Sequence, residues 1–132
     1  MTKAIRVHNT GGPEVMTLED VEVGQPGVGE VRVRHTAIGL NFIDVYFRTG
    51  AYPAQTPFTP GFEAAGVVEA VGEGVDNLSV GDRIAYAAQP IGAYAEERLI
   101  AADRLVKLPD EIADRVGAAI MLKGMTTEYL LR

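Results

Sequence analysis

Four side chains suited to holding a flat ligand fall close together in this 132-residue chain: Asn41, Asp44, Tyr46 and Tyr52. The Asn41 amide both donates and accepts hydrogen bonds. Tyr46 and Tyr52 flank a loop rich in glycine and proline. They offer ring faces for stacking and hydroxyls for donation to an oxygen, as pocket walls do. Phe62 and Glu63 follow in a glycine-punctuated stretch, Pro60 to Asp82. Metal chemistry finds little support. Zinc needs three or four N, S or O ligands converging at about 2.0–2.3 Å. The chain has no cysteine, and its two histidines, His8 and His35, fall on separate expected strands.

The elements that must position these residues read mostly as strands. Lys3 to His8 alternates, with Ala4, Arg6 and His8 on one side and Ile5 and Val7 on the other. Val15 to Val23 reads as a second strand. Glu30 to Ala37 reads as a third, with Ile38 to Leu40 extending it as a more buried apolar run. Asn41 to Arg48 loses the alternation and lies between Asn41 and Gly50. It reads as a short helix with Asn41 as N-cap and Asp44 at its third position, where a carboxylate is favoured. Ala51 to Pro60 holds three of the seven prolines and reads as a stiff loop.

Ala64 to Ala70 reads as a strand, and Gly72–Gly74 and Gly81–Asp82 as turns into two further strands. Arg83 to Ala88, Ala93 to Ala101 and Leu105 to Leu108 read as strands. Pro109–Asp110 opens an amphipathic helix with Ile112, Val116, Ala119 and Ile120 as its core stripe. A second helix follows from Lys123 after a break near Gly124. The expected fold is mainly β with short helices: one domain over residues 1–132, a twisted barrel with helices leading out of it.

Composition fits one domain with a real core: 47% hydrophobic and 23% charged. The net charge of −6, without a Lys/Arg-rich run, argues against nucleic acid or an anionic membrane as partner. The N-terminus lacks a signal-peptide apolar core, and no apolar run approaches the roughly 20 residues of a membrane helix. A cytoplasmic location is expected. The helical pattern runs into Arg132 without a stop signal, so the chain reads as part of a larger protein.

Several motifs then agree in order and spacing. Residues 61–83 (GFEAAGVVEAVGEGV…VGDR) resemble the signature of the medium-chain dehydrogenase/reductase superfamily. AIGLNFIDVYFRTGAYP (Ala37 to Pro53), GGPEVM (Gly11 to Met16) and LKGMTTEYLLR (Leu122 to Arg132) narrow the resemblance to its quinone oxidoreductase, or zeta-crystallin-like, branch. The resemblance implies a GroES-like barrel, the catalytic domain of a two-domain NADPH-dependent reductase that pairs as a homodimer. The second domain would be a Rossmann fold carrying a glycine-rich dinucleotide turn. No strand followed by GxGxxG occurs in these residues, so the chain would hold only the nicotinamide and substrate side of the cleft.

The resemblance further implies contacts residue by residue. The substrate would meet Asn41, Tyr46, Tyr52 and Phe62. The cofactor would meet Asn41, Phe42, Asp44, Tyr46, Lys123 and Thr127, with Thr126 alongside. Asn41 would hold the carboxamide or ribose of the nicotinamide, or polarise an acceptor carbonyl. Glu63 would be structural, pairing with a basic group or holding a loop. Tyr94 and Ile91 would edge the pocket. Zinc-dependent relatives place a histidine where Phe62 stands and a cysteine where Asn41 stands. A zinc-free site suits a quinone or enone, because the developing charge spreads over a π-system and needs no Lewis acid. Enoyl and alkenal reductases share this architecture, and a non-catalytic GroES-like binding module is the alternative outside enzymes.

Overall fold

The computed structural model describes all 132 residues, Met1–Arg132. Seven strands and two α-helices follow in the order β1 (Thr2–Val7), β2 (Met16–Val21), β3 (Glu30–Gly39), α1 (Phe42–Thr49), β4 (Glu63–Val71), β5 (Arg83–Ala87), β6 (Glu97–Ala101), β7 (Val106–Lys107) and α2 (Asp114–Leu131). The fold is mainly β, as expected. The strands form two sheets instead of one closed ladder: β1–β2, and a five-stranded sheet in the order β6-β3-β4-β5-β7. Single bridges from Ala4 to Ala95 and from Val7 to Phe58 tie the small sheet to the segments that flank it. Those bridges bury Ala4 and Val7 together, which overturns the simple alternation expected for β1.

β3 and β4 are antiparallel, with Val31 opposite Val71 and Gly39 opposite Glu63. Val31, Val33, Ala64, Val68, Ile84 and Tyr86 fill the main core. The ladder shifts between His35 and Ala37, leaving Thr36 unpaired as a bulge. Beyond it, Ala37 packs with the group under α2, not with the main core. The expected buried run Ile38–Leu40 is therefore reversed: Ile38 is 45% and Leu40 80% exposed. A period-2 pattern cannot be carried through a bulge.

Three further readings are corrected. The turn at Gly72–Gly74 opens no strand of its own: residues 72–82 form a loop, and the next strand after β4 is β5. The segment 93–101 is strand only from Glu97, and its earlier part makes the bridge at Ala95. α2 is one helix of 18 residues that passes through Gly124 unbroken and starts at Asp114. Its buried face is Gly117 and Ala118, while Val116, Ala119 and Ile120 are exposed. Small residues face the sheet where α2 lies closest to it: a Cβ on Gly117 would stand 3.0 Å from Leu108 Cδ1 and 3.4 Å from Ala85 Cβ, while Met121 packs at the margin.

Candidate functional site

α1 starts and stops where the sequence predicts. The Asp44 Oδ2 accepts the Asn41 N–H at 3.1 Å, and the Asp44 N–H donates to the Asn41 carbonyl at 3.1 Å. Gly50 ends the helix at φ +86, a left-handed cap that glycine adopts without strain. The backbone N–H of Tyr52 returns to the Tyr46 carbonyl at 3.1 Å. Aromatic rings meet along the helix and this turn: Phe42 and Tyr46 tilted at 5.8 Å, Tyr46 and Tyr52 tilted at 5.2 Å, and Tyr52 edge-on to Phe47 at 5.6 Å. Phe47 is buried, whereas Phe42, Tyr46 and Tyr52 keep 76%, 40% and 44% of their surface exposed. The result is an exposed aromatic ridge.

Beside it stands a polar chain. The Asn41 Nδ2 donates to Glu63 Oε1 at 2.7 Å, and the Lys123 Nζ donates to Asn41 Oδ1 at 3.1 Å. The backbone N–H of Leu122, inside α2, donates to Glu63 Oε2 at 2.8 Å. Strand alternation puts Glu63 on the same face of β4 as Ala65, the face α2 covers. Glu63 is wholly buried. Gly39, directly across the ladder, leaves room for this junction: a Cβ there would strike the Ala118 carbonyl oxygen and the Glu63 side chain. The partners of Glu63 are thus an amide and a backbone N–H, not a basic group.

The expected site residues do not all meet in one cluster. Asn41 and Lys123 meet through one hydrogen bond, and Phe42, Tyr46 and Tyr52 meet through their rings. Asp44 is buried and Phe62 half-buried. Thr126 and Thr127 turn their hydroxyls back onto the carbonyls of Leu122 and Lys123, both at 2.8 Å. A small cleft of about 220 Å³ lies against Lys123, between Ala37–Leu40 and Arg115, Ala118 and Ala119 of α2. A larger cleft, about 580 Å³, lies elsewhere, between β1, β2 and the second half of β3. Tyr94 and His35 line it; Asn41, Tyr46, Tyr52 and Phe62 do not.

Sequence reasoning missed the role of Tyr94 here. Its hydroxyl donates to Asp44 Oδ2 at 2.6 Å. Fifty residues separate them and no local signal joins them. Burial raises the Asp44 carboxyl above the usual range, against the lowering effect of the Tyr94 bond. Burial, and then the bond to Asp44, pushes the Tyr94 hydroxyl above its ordinary value.

The donor set does not suit a metal. No three His, Cys, Asp or Glu side chains are grouped to hold one. His35 has both ring nitrogens engaged, Nδ1 with the Ala95 carbonyl at 2.7 Å and Nε2 with the Tyr86 hydroxyl at 2.8 Å. His8 is at the surface, 2.7 Å from Glu19. The set does suit one end of a dinucleotide: exposed ring faces for an aromatic ring, an amide for a hydroxyl or carboxamide, and an ammonium for an anion.

Two open sheets and a closing helix make up the architecture of a recognised domain class. Residues 27–110 match the alcohol dehydrogenase GroES-like domain, and the chain belongs to that family. Its relatives narrow the class. A quinone oxidoreductase of Pseudomonas aeruginosa is 54% identical over all of this chain and 41% of its own length. A 2-haloacrylate reductase of Burkholderia sp. is 48% identical over 99% of this chain and 41% of its own. Among solved structures, an Escherichia coli quinone oxidoreductase in complex with NADPH superposes with a TM-score of 0.96, at 44% identity, over 98% of this chain and 40% of its own. The chain spans about two fifths of the length of these relatives.

Proposed function

We propose that this chain forms the catalytic-domain portion of a zinc-independent quinone oxidoreductase that uses NADPH. The observation that carries the proposal is the exposed ridge Phe42–Tyr46–Tyr52 beside the Glu63–Asn41–Lys123 chain. NADPH supplies the hydride when bound. The ridge gives a flat acceptor a stacking surface, and Asn41 and Lys123 give polar anchors at its edge. Phe62 and Asn41, where zinc-dependent relatives carry ligands, support metal-free transfer to a π-acceptor. Gly72 and Gly74 follow β4 but lead into a loop, not a helix, so the pyrophosphate cradle is assigned to a separate nucleotide-binding domain.

The working form proposed is a cytoplasmic homodimer of the full-length protein, paired through that second domain. No helix of this chain is long and apolar enough to cross a membrane. The test is NADPH oxidation by the full-length protein with 1,4-benzoquinone, with and without a chelator. Turnover that survives the chelator is expected. Loss of turnover on chelation would refute the zinc-free reading, and the absence of turnover with any quinone would refute the substrate class. A second reading, reduction of an enone C=C bond, is favoured by the 2-haloacrylate reductase relative. Faster turnover of an α,β-unsaturated acid or ketone than of quinones would select it.

A further inference from the structure

Glu63 is wholly buried, yet none of the chain's ion pairs includes it. A buried carboxylate persists when hydrogen bonds satisfy it. Here two donors do so, Asn41 Nδ2 at 2.7 Å and the Leu122 N–H at 2.8 Å, one on each oxygen. Both come from elements that carry expected ligand contacts: the N-terminus of α1 and the middle of α2.

The chemistry of the two neighbours fixes the amide of Asn41. Glu63 Oε1 is the acceptor here, so the amide end facing it is Nδ2. An ammonium has no lone pair to offer, so the end facing Lys123 is Oδ1. The two distances, 2.7 Å and 3.1 Å, agree with this polarity. The Nδ2 end lies on the buried carboxylate, and the Oδ1 end meets an exposed ammonium.

We propose that Glu63 is a positioning residue: it sets the Asn41 amide so that the site presents an acceptor, Oδ1, and not a donor. Resting on the cofactor reading above, this decides between the two roles open to Asn41. The ligand group that meets Oδ1 must itself donate, as a ribose hydroxyl or a carboxamide N–H of a nicotinamide nucleotide does. A quinone carbonyl, an acceptor only, has to find its donor elsewhere, and the Lys123 ammonium has two further protons for it. Through Leu122, the same carboxylate fixes the turn of α2 that carries Lys123.

The test uses the full-length protein and NADPH titrated by its own fluorescence. Glu63→Gln keeps the shape but replaces one acceptor by a donor. Its NH2 then either faces the Leu122 N–H or faces Asn41, whose amide must turn over and withdraw Oδ1 from the site. The dissociation constant for NADPH should rise about tenfold, the scale of a lost hydrogen bond to a charged group. In an Asn41→Ala background the same substitution should change it by less than about twofold, because the effect passes through Asn41. Equal losses in both backgrounds, or none in either, overturn the proposal. A measurement on the unsubstituted protein covers the case in which Glu63→Gln does not fold. The chain has three asparagines, and Asn9 and Asn77 are exposed. By NMR, an Asn41 side-chain amide proton should exchange with water at least about tenfold more slowly than those two, since it is held by a buried acceptor. Equal exchange overturns the proposal. If the unsubstituted protein binds no NADPH, the cofactor reading falls, and the exchange measurement still decides how Asn41 is held.

Discussion

The Tyr94 hydroxyl and the Asp44 carboxylate meet at 2.6 Å, and this bond seats α1 on the segment that precedes β6. The same Asp44 oxygen accepts the Asn41 N–H at 3.1 Å. One carboxylate oxygen therefore joins the helix start, which bears Asn41, to a strand loop fifty residues away. The other oxygen, Oδ1, is buried without a protein donor. If Tyr94 loses its hydroxyl, Oδ2 keeps the Asn41 N–H as its donor but loses its only side-chain partner.

Tyr94→Phe should lower stability by about 1–3 kcal/mol at neutral pH, the range for stripping a donor from a buried carboxylate. The sign with pH follows from the direction of the Asp44 shift. Burial already raises its pKa, and the Tyr94 bond opposes that rise. Removing the bond raises it further, so the variant suffers most where Asp44 must be charged. Urea unfolding should show the gap between variant and parent narrowing as pH falls toward the carboxylate range. A gap that stays constant with pH would show that Asp44 is not the group affected.

His35 should make the fold acid-sensitive above the carboxylate range. Burial pushes its pKa from 6.5 to about 4, despite the opposing bond to the Ala95 carbonyl, and the nearby charge of Arg98 lowers it too. The unfolded chain then binds a proton that the folded chain refuses. Stability is complete above about pH 6.5 and falls as pH drops toward 4. The loss reaches up to about 3 kcal/mol, at about 1.4 kcal/mol per pH unit. Glu19, Glu96, Asp82 and Asp114 all have lowered values, so their losses come at lower pH, and Asp44 acts in the opposite sense. His35→Gln should flatten the unfolding free energy between pH 6.5 and 4.5. An unchanged slope would assign the acid sensitivity to another group.

Arg83 should control how α2 docks. Its Nε and Nη2 donate to Asp114 Oδ1 at 3.0 and 2.6 Å, its Nη2 to the Ile112 carbonyl at 2.6 Å and its Nη1 to the Pro109 carbonyl at 3.3 Å. Thr36, the bulge residue of β3, donates to the other Asp114 oxygen at 2.7 Å. A lysine cannot reproduce the planar fork. Arg83→Lys should lower stability by about 1–2 kcal/mol in denaturant unfolding, a half-buried charged bond or two. In the full-length protein it should also weaken NADPH binding, because Lys123 rides on α2. Weaker binding without lower stability would contradict a docking role.

The sequence displays what is local and hides what is paired over distance. α1 is legible because Asn41, Asp44 and Gly50 sit at a cap, a first turn and a left-handed stop, each a property of one residue in its own segment. The α2 stripe is not legible. Ile112, Val116 and Ile120 form the apolar pattern, yet the residues that α2 buries against Ala65 and Ala85 are Gly117 and Ala118, with Met121 half-buried beside them. Ile38 and Leu40 misled for a similar reason, since Thr36 shifts the register before them. In the site, Asn41, Tyr46 and Tyr52 stand out by type and spacing. The junction of Glu63 with Asn41 and Leu122 depends on β4, α1 and α2 converging, and nothing local announces it.

Tyr46 is the residue through which the ridge should act on a substrate. Its ring touches both Phe42 and Tyr52, so it is the shared member of the stack. Tyr46→Ala removes two ring contacts at once, each worth about 0.5–1.5 kcal/mol beyond burial, and removes the stacking face itself. In the full-length protein, KM for a quinone should rise about tenfold on that scale of energy, with NADPH binding less affected. Tyr46→Phe keeps the ring and loses only the hydroxyl, and it should stay within about twofold of the parent, because the ring face and not the hydroxyl is proposed to meet the acceptor. The two variants separate stacking from hydrogen bonding. Equal damage in both would transfer the role to the Tyr46 hydroxyl. No damage in either would place the acceptor away from the ridge, toward the cavity lined by Tyr94 and His35.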